Sequence, residues 1–349
     1  MVIKAAVLRD LNRPLTIETL TAPELKAGQA LVRIVFSGVC HSQLNEVRGR
    51  KGPDPFLPHT LGHEASGWVE AVGPGVTKVK AGGRVVLTWI KGAGKDVPAT
   101  VYTGADGSGV NSGAISTFMN RAVIAENRLV PLPAGVPLKE MPLLRCALPT
   151  GAGIAINTLN IEPGASLAVF GVSGIGLSAV IGGVLQKAGM IAAVDIVPHK
   201  LALAKGFGAT HTINAAEQDP VDMLAQWTGG KGVDYAIEAS GVRPVMETAF
   251  RSVRDGGGVC VLAGNLPAGE RIAIDPYDLI RGKRILGTWG GESRPDRDIP
   301  RFAEWRRAGK LQLEPLITNV YPLEQVNQAL DDLERGQVGR AMLDMSHLD

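Results

Sequence analysis

Three residues of this 349-residue chain could together hold a soft metal ion. They are Cys40 in Ser37-Gly38-Val39-Cys40-His41-Ser42, His63 in Leu61-Gly62-His63-Glu64, and Cys146 in Leu144-Arg145-Cys146-Ala147-Leu148-Pro149-Thr150-Gly151. Two thiolates and an imidazole suit zinc, and three protein ligands leave a fourth position open, as in a catalytic rather than a closed structural site. The separations are too wide for spacing alone to select this set. Each residue taken singly also has an ordinary structural reading, as a small buried cysteine or a core histidine. Cys260, inside the apolar run Val259–Ala263, has only that reading.

A second constellation, Phe170-Gly171-Val172-Ser173-Gly174-Ile175-Gly176, follows the apolar run Ser166–Phe170. Glycine permits a tight turn at Gly171 and a close helix–strand approach at Gly176, so that backbone N–H groups at a helix start can face a pyrophosphate. Ser173 takes the middle glycine position of a G-x-G-x-x-G pattern, with Gly174 and Ile175 beside it. Serine is small and can donate a hydrogen bond there. Asp195 follows nineteen residues after Gly176, at a strand end, where a carboxylate binds the adenosine ribose hydroxyls. That carboxylate would repel a 2′-phosphate, and Ile196 and Val197 bring no compensating charge, so NAD is the expected cofactor. Lys200, at the next helix start, is expected beside the adenine or ribose.

Strands and helices of two kinds must position these groups. Residues 1–150 carry β-type runs at Ile3–Leu8, Leu15–Leu20, Ala30–Phe36, Glu64–Val72 and Arg84–Thr88, between proline and glycine punctuation. Ile90–Gly113, dominated by Gly, Ala, Asp and Ser, reads as a long surface loop. From Gly151 the candidate strands are Ser166–Phe170, Ile191–Val194, Thr210–Ile213, Asp234–Glu238, Val259–Ala263 and Ile285–Thr288. Helical runs such as Lys200–Phe207 and Val245–Val253 separate the first five, which implies an α/β doubly wound parallel sheet. The tail holds helical stretches at Ile299–Ala308 and Leu323–Arg335 and a strand at Arg340–Met345. The expected domains are a β-rich catalytic one, 1–150 completed by 289–349, and a Rossmann NAD-binding one, 151–288.

Composition agrees with two cores, at 45% hydrophobic residues. A net charge of +2 gives no electrostatic reason to expect nucleic acid or an anionic membrane as partner. The uncharged stretch Ala165–Gln186 is long enough to span a bilayer. Gly171, Gly174, Gly176, Gly182 and Gly183 interrupt it, however, and a buried strand, a turn and a helix account for it better. Three widely separated cysteines argue against a disulfide framework, and Met1–Ala6 runs into a strand pattern rather than a leader. The expected compartment is the cytoplasm.

The order of these motifs resembles the zinc-dependent medium-chain alcohol dehydrogenases over nearly the whole chain. Ala71-Val72-Gly73-Pro74-Gly75-Val76, Gly232-Val233-Asp234-Tyr235, Gly256-Gly257-Gly258 and Gly339-Arg340 add to the likeness. The resemblance implies a GroES-like catalytic domain beside the Rossmann domain. It implies Cys40, His63 and Cys146 as ligands of a catalytic zinc, the two-cysteine, one-histidine set already known from alcohol dehydrogenases. Glu64 would be a neighbour able to bind the metal transiently, and Ser42 the hydroxyl that receives the substrate proton. His41 and Arg340 would bind the cofactor pyrophosphate, and Thr150 would contact the nicotinamide side. Trp89 falls where the family narrows the alcohol pocket, with a core tryptophan as the other reading. The activity implied is reversible hydride transfer from a small-molecule alcohol to NAD, in a homodimer or homotetramer.

Three departures stand out. Gln43 replaces the family's aspartate that orients the metal-bound histidine, and brings no charge. Asn45 stands where a relay histidine is usual and cannot titrate. Ile90–Gly113 lacks the four cysteines that hold a second, structural zinc in many relatives, so one zinc per chain is expected. Zinc-free reductases of the same superfamily lack the Cys/His/Cys set. A non-enzymatic binding protein and a zinc-dependent sugar or polyol dehydrogenase of a biosynthetic pathway are the remaining alternatives.

Overall fold

The first strand is buried on both faces over Ala5–Leu8. β1 (Val2–Leu8) pairs antiparallel with β2 (Thr16–Thr21), with Ile3, Ala5, Val7 and Leu20 fully buried. The chain then forms β3 (Gln29–Val39), helix α1 (His41–Val47), β4 (His59–Thr60), β5 (Glu64–Val72) and β6 (Arg84–Thr88). β7 (Val101–Thr103), β8 (Gly109–Asn111), β9 (Arg121–Ala125) and β10 (Leu129–Pro131) follow. These coordinates are a computed structural model that describes every residue except Pro133 and Asp349. β1, β2, β7, β8 and β4 close a barrel, and β10, β6, β5 and β3 run side by side with β9 also on β3.

β3 and β5 are antiparallel with Ser37 opposite Ala65, so the end of β3 meets the start of β5. That register brings Cys40 to His63. The stretch 90–113, expected as a loop throughout, instead contains the β7–β8 hairpin, with Tyr102 paired opposite Val110 and both buried. Three-residue strands are too short to show a period, which is why composition hid them. Two carboxylates tie the rest of this lobe, Glu126 and Asp296, the latter accepting from the backbone N–H of Ala93. Buried Glu126 accepts from the backbone N–H of Lys95 at 2.9 Å, Thr77 at 3.0 Å and Lys78 at 3.2 Å. Gly94 must be glycine beside it: φ is +105°, and a Cβ would lie 2.7 Å from Glu126 Cγ.

The second unit, Ala147–Ser293, is an α/β layer structure. Its strands are β11 (Ser166–Phe170), β12 (Met190–Asp195), β13 (His211–Asn214), β14 (Tyr235–Glu238), β15 (Val259–Leu262) and β16 (Arg284–Gly287). All pairs are parallel, in the order β13-β12-β11-β14-β15-β16, so the direction of winding reverses between β11 and β14. The helices are α2 (Ala147–Gly153), α3 (Gly174–Leu185), α4 (Pro198–Gly206), α5 (Pro220–Trp227), α6 (Arg243–Arg251) and α7 (Pro276–Ile280). A proline in the first turn starts each of α4 to α7, where the missing N–H costs nothing. α5 has no counterpart in the sequence reading. Asp219 caps it, accepting from Val221 and Asp222 N–H. Among the described residues no helix is long and apolar enough to cross a membrane, and the uncharged stretch is β11 plus α3.

The C-terminal segment, from Arg294, belongs to the first unit together with Met1–Cys146. It forms α8 (Pro295–Arg307), β17 (Asn319–Pro322), α9 (Val326–Glu334) and β18 (Ala341–Asp344). β17 is absent from the sequence reading. β18 pairs antiparallel with β3, Ala341 opposite Val39, and this return delivers Arg340 to the neighbourhood of Cys40.

Candidate metal centre and dinucleotide turn

Cys40 is the N-cap of α1, directly after β3. His63 immediately precedes β5, held in place by Gly62 at φ +94°, where a Cβ would meet Thr117 Oγ1 at 2.3 Å. Ligand atoms of Cys40, His63, Glu64 and Cys146 all lie within 4.8 Å of one another. His63 Nε2 is 3.3 Å from Cys146 Sγ, and Gln43 contacts His63 Nδ1 while its Oε1 accepts from Cys40 N–H at 3.1 Å. A hydrogen bond from Cys146 and the nearby His63 hold the Cys40 thiol well below the ordinary thiol range. The same hydrogen bond, together with burial, pushes Cys146 up.

The donor set fits a tetrahedral zinc with one open position. Glu64 supports the fit, because its Oε1 is buried with no hydrogen-bond partner among the described residues. Gly38 makes room for it: a Cβ there would come within 2.7 Å of Glu64 Cδ. Burial raises the Glu64 carboxyl, and Arg340 opposes that shift through an ion pair. Burial works against the Arg340 charge, and Glu64 and Cys40 more than offset it, so its pKa lies above the usual range. Arg340 is thus seated against Glu64, while the resemblance assigns it to the pyrophosphate.

Sequence reasoning missed Arg145, the largest fully buried side chain. It donates to the His63 carbonyl and, at 3.0 Å, to Thr88 Oγ1, and so holds the ligand loop against β6. Burial pushes its pKa down to about 10. A charged residue inside the apolar run Met141–Leu148 was the signal available. Ser42, in the first turn of α1, is half-buried, His41 is exposed, and Trp89 is half-buried just beyond β6.

The second unit carries the glycine turn. Gly171 has φ +80°, and a Cβ on Gly176 would lie 1.9 Å from the Gly171 carbonyl oxygen, so helix α3 approaches β11 as closely as two backbones can. Ser173 is the N-cap of α3, followed by Gly174 and Ile175. Asp195 ends β12 and accepts from Val172 N–H at 2.9 Å, Ile196 N–H at 2.8 Å and Val197 N–H at 3.1 Å. It therefore ties the glycine turn to the next loop. Lys200 lies in α4, half-buried, and Thr150 in α2, buried.

Residues 26–134 match the alcohol dehydrogenase GroES-like domain and residues 174–307 the zinc-binding dehydrogenase domain. The chain is 33% identical to an S-(hydroxymethyl)glutathione dehydrogenase of Synechocystis sp., over 97% of this chain and 99% of that one. Its fold is similar to that of an alcohol dehydrogenase zinc-binding domain protein from Burkholderia ambifaria, with a TM-score of 0.91, 34% identity and 99% of both chains covered. A benzyl alcohol dehydrogenase from Acinetobacter calcoaceticus gives a TM-score of 0.89 at 30% identity, again over 99% of both chains. With the thiol, imidazole and carboxylate set brought together and likeness running from end to end, the chain is an oxidoreductase acting on CH–OH groups and belongs to the zinc-dependent medium-chain alcohol dehydrogenases.

Proposed function

We propose that Cys40, His63 and Cys146 hold a single catalytic zinc, with Glu64 as the nearby alternative ligand, and that the chain converts a small alcohol to an aldehyde or ketone with NAD. The observation that carries this reading is four ligating side chains within 4.8 Å of one another, with Glu64 and Cys146 buried and Cys40 and His63 half-buried. Zinc held there supplies Lewis acidity toward the substrate oxygen, and NAD accepts the hydride. Arg145 and Gln43 orient the His63 ring and backbone. Ser42 exchanges a proton with the substrate oxygen. In the second unit, Gly171–Gly176 and the start of α3 receive the pyrophosphate; the family resemblance assigns His41 and Arg340 to the cofactor, Thr150 to the nicotinamide side and Trp89 to the alcohol pocket. Metal analysis of the purified protein, with a panel of alcohols followed by absorbance of the reduced cofactor, tests the reading. Absence of zinc or of turnover would overturn it.

Asp195 and its neighbours favour NAD over NADP. Its carboxylate accepts from three backbone N–H groups, and Ile196 and Val197, directly after it, bring no positive charge to receive a 2′-phosphate. The expected result is a kcat/KM at least about tenfold higher with NAD, the difference that one unfavourable charge contact of about 1.4 kcal/mol produces. Equal use of NADP would refute the assignment.

A homodimer or homotetramer is also proposed. β16 is an edge strand, with Leu286 exposed on it and Tyr277 and Ile280 exposed on α7; Ile280 is 76% exposed. An unpaired edge with apolar neighbours favours pairing with a second copy. Sedimentation equilibrium is expected to give at least twice the mass of one chain, and a single-chain mass would contradict the proposal. The three cysteines are free, as a reducing cytoplasm would keep them.

A further inference from the structure

Asn45 leaves the proton path beyond Ser42 without its usual histidine. Its amide cannot titrate and accepts instead from Arg50 at 3.4 Å. A different group stands at that place. Lys51 Nζ lies 3.1 Å from Ser42 Oγ and 2.7 Å from Glu46 Oε2, with about half of its side chain, 47%, in contact with solvent. Behind it, Glu46 Oε1 is 3.6 Å from Nε2 of buried His59, whose ring sits between Asp54 Oδ2 at 2.8 Å and the Thr60 carbonyl at 3.0 Å. Ser42, Lys51 and Glu46 thus form one continuous line from the half-buried hydroxyl to a charged surface cluster.

We propose that Lys51 is the proton carrier between Ser42 and solvent, in place of the missing histidine. In carbonyl reduction, with bound NADH as the hydride donor to the carbonyl carbon, the Ser42 O–H proton would pass to the substrate oxygen and a Lys51 N–H proton to Ser42 Oγ. Lys51 is left as a neutral amine and regains a proton from water at its exposed end. In alcohol oxidation every transfer reverses, so Lys51 must begin neutral and ends as the ammonium. Glu46, accepting from Nζ, fixes the amine at hydrogen-bond reach of the hydroxyl, the distance that proton transfer requires. This inference rests on the assignment of Ser42 as the residue that exchanges a proton with substrate.

Opposite pH profiles for the two directions follow. Oxidation begins from the neutral amine and reduction from the ammonium, so the two rates change with pH in opposite senses. The groups facing the amine are Ser42 and Glu46, with His59 and Asp54 behind Glu46. The test compares kcat against pH for wild type, Lys51→Ala, Lys51→Arg and Ser42→Ala, with zinc content and NADH binding measured on each. Lys51→Ala is expected to lower kcat for oxidation by about a hundredfold, the lower range for a general acid–base group, and to lose the pH step. Lys51→Arg keeps the charge and its hydrogen bonds but does not deprotonate, so it should fail similarly, which a merely structural lysine would not do. Propylamine added to Lys51→Ala should restore rate in proportion to its free-base concentration. A Lys51→Ala enzyme with wild-type kcat beside a slow Ser42→Ala enzyme overturns the lysine relay alone. A Ser42→Ala enzyme at wild-type rate overturns the Ser42 assignment, and the relay with it.

Discussion

Cys146→Ala is expected to leave a folded protein that has lost its zinc and at least about four powers of ten in kcat/KM. The size follows from what a bound zinc does to an oxygen: it can move the pKa of water from about 15.7 to about 7, roughly 12 kcal/mol of differential stabilisation. A positioned side-chain acid or base contributes only about two to four powers of ten, so no variant beyond the ligand set should cost as much. Cys260→Ala is the control. That thiol is buried in β15, where burial pushes its pKa above the usual range, and the substitution should leave metal content unchanged. Zinc retained at wild-type stoichiometry in Cys146→Ala would remove Cys146 from the ligand set.

The second large effect concerns stability. Glu64 is fully buried and Arg340 nearly so, and each neutralises the other. Removing one partner from a buried pair leaves an uncompensated charge and costs about 3–5 kcal/mol, whereas replacing both is often close to neutral. Glu64→Leu and Arg340→Met singly should each shift the urea midpoint by an amount of that order, and the double variant should recover much of the loss. This comparison isolates the coupling between the two sites. If the single losses simply add in the double variant, the pair is not the cause. Because β18 is registered on β3 at the residue before Cys40, a destabilised Arg340 should also loosen the strand that positions the metal ligand.

Much of this was legible in the residues because local rules and tertiary demands coincided. β5, β6 and β11 fall at Glu64–Val72, Arg84–Thr88 and Ser166–Phe170, the limits given by their apolar patterns. The parallel sheet followed from alternation, and Gly176 proved to be a position with no space for a Cβ. The ligand set was visible through motif order and not through spacing, since β3, β5 and the Cys146 segment meet only by long-range pairing. Helix α1 went unread because seven residues after a cysteine N-cap carry neither a full amphipathic period nor a serine, threonine or aspartate cap. The lysine beside Ser42 was equally invisible, because its position depends on how the chain turns after α1. Arg145 showed only as an oddity of composition.

The carboxylate of Glu126 has a consequence for how freely the lobe around residues 91–97 can change. Its three partners are backbone N–H groups, which any residue except proline supplies, as is the Ala93 N–H that donates to Asp296, so closure rests on two acidic side chains and on Gly94. A lobe tied by four thiolates would demand four particular residues, a reduced environment and a supply of metal. Residues 90–113 contain no cysteine, so this lobe offers an oxidant no thiol to act on. Sequence drift in this lobe is constrained chiefly at Glu126, Asp296 and Gly94, and little at the residues whose N–H groups they bind.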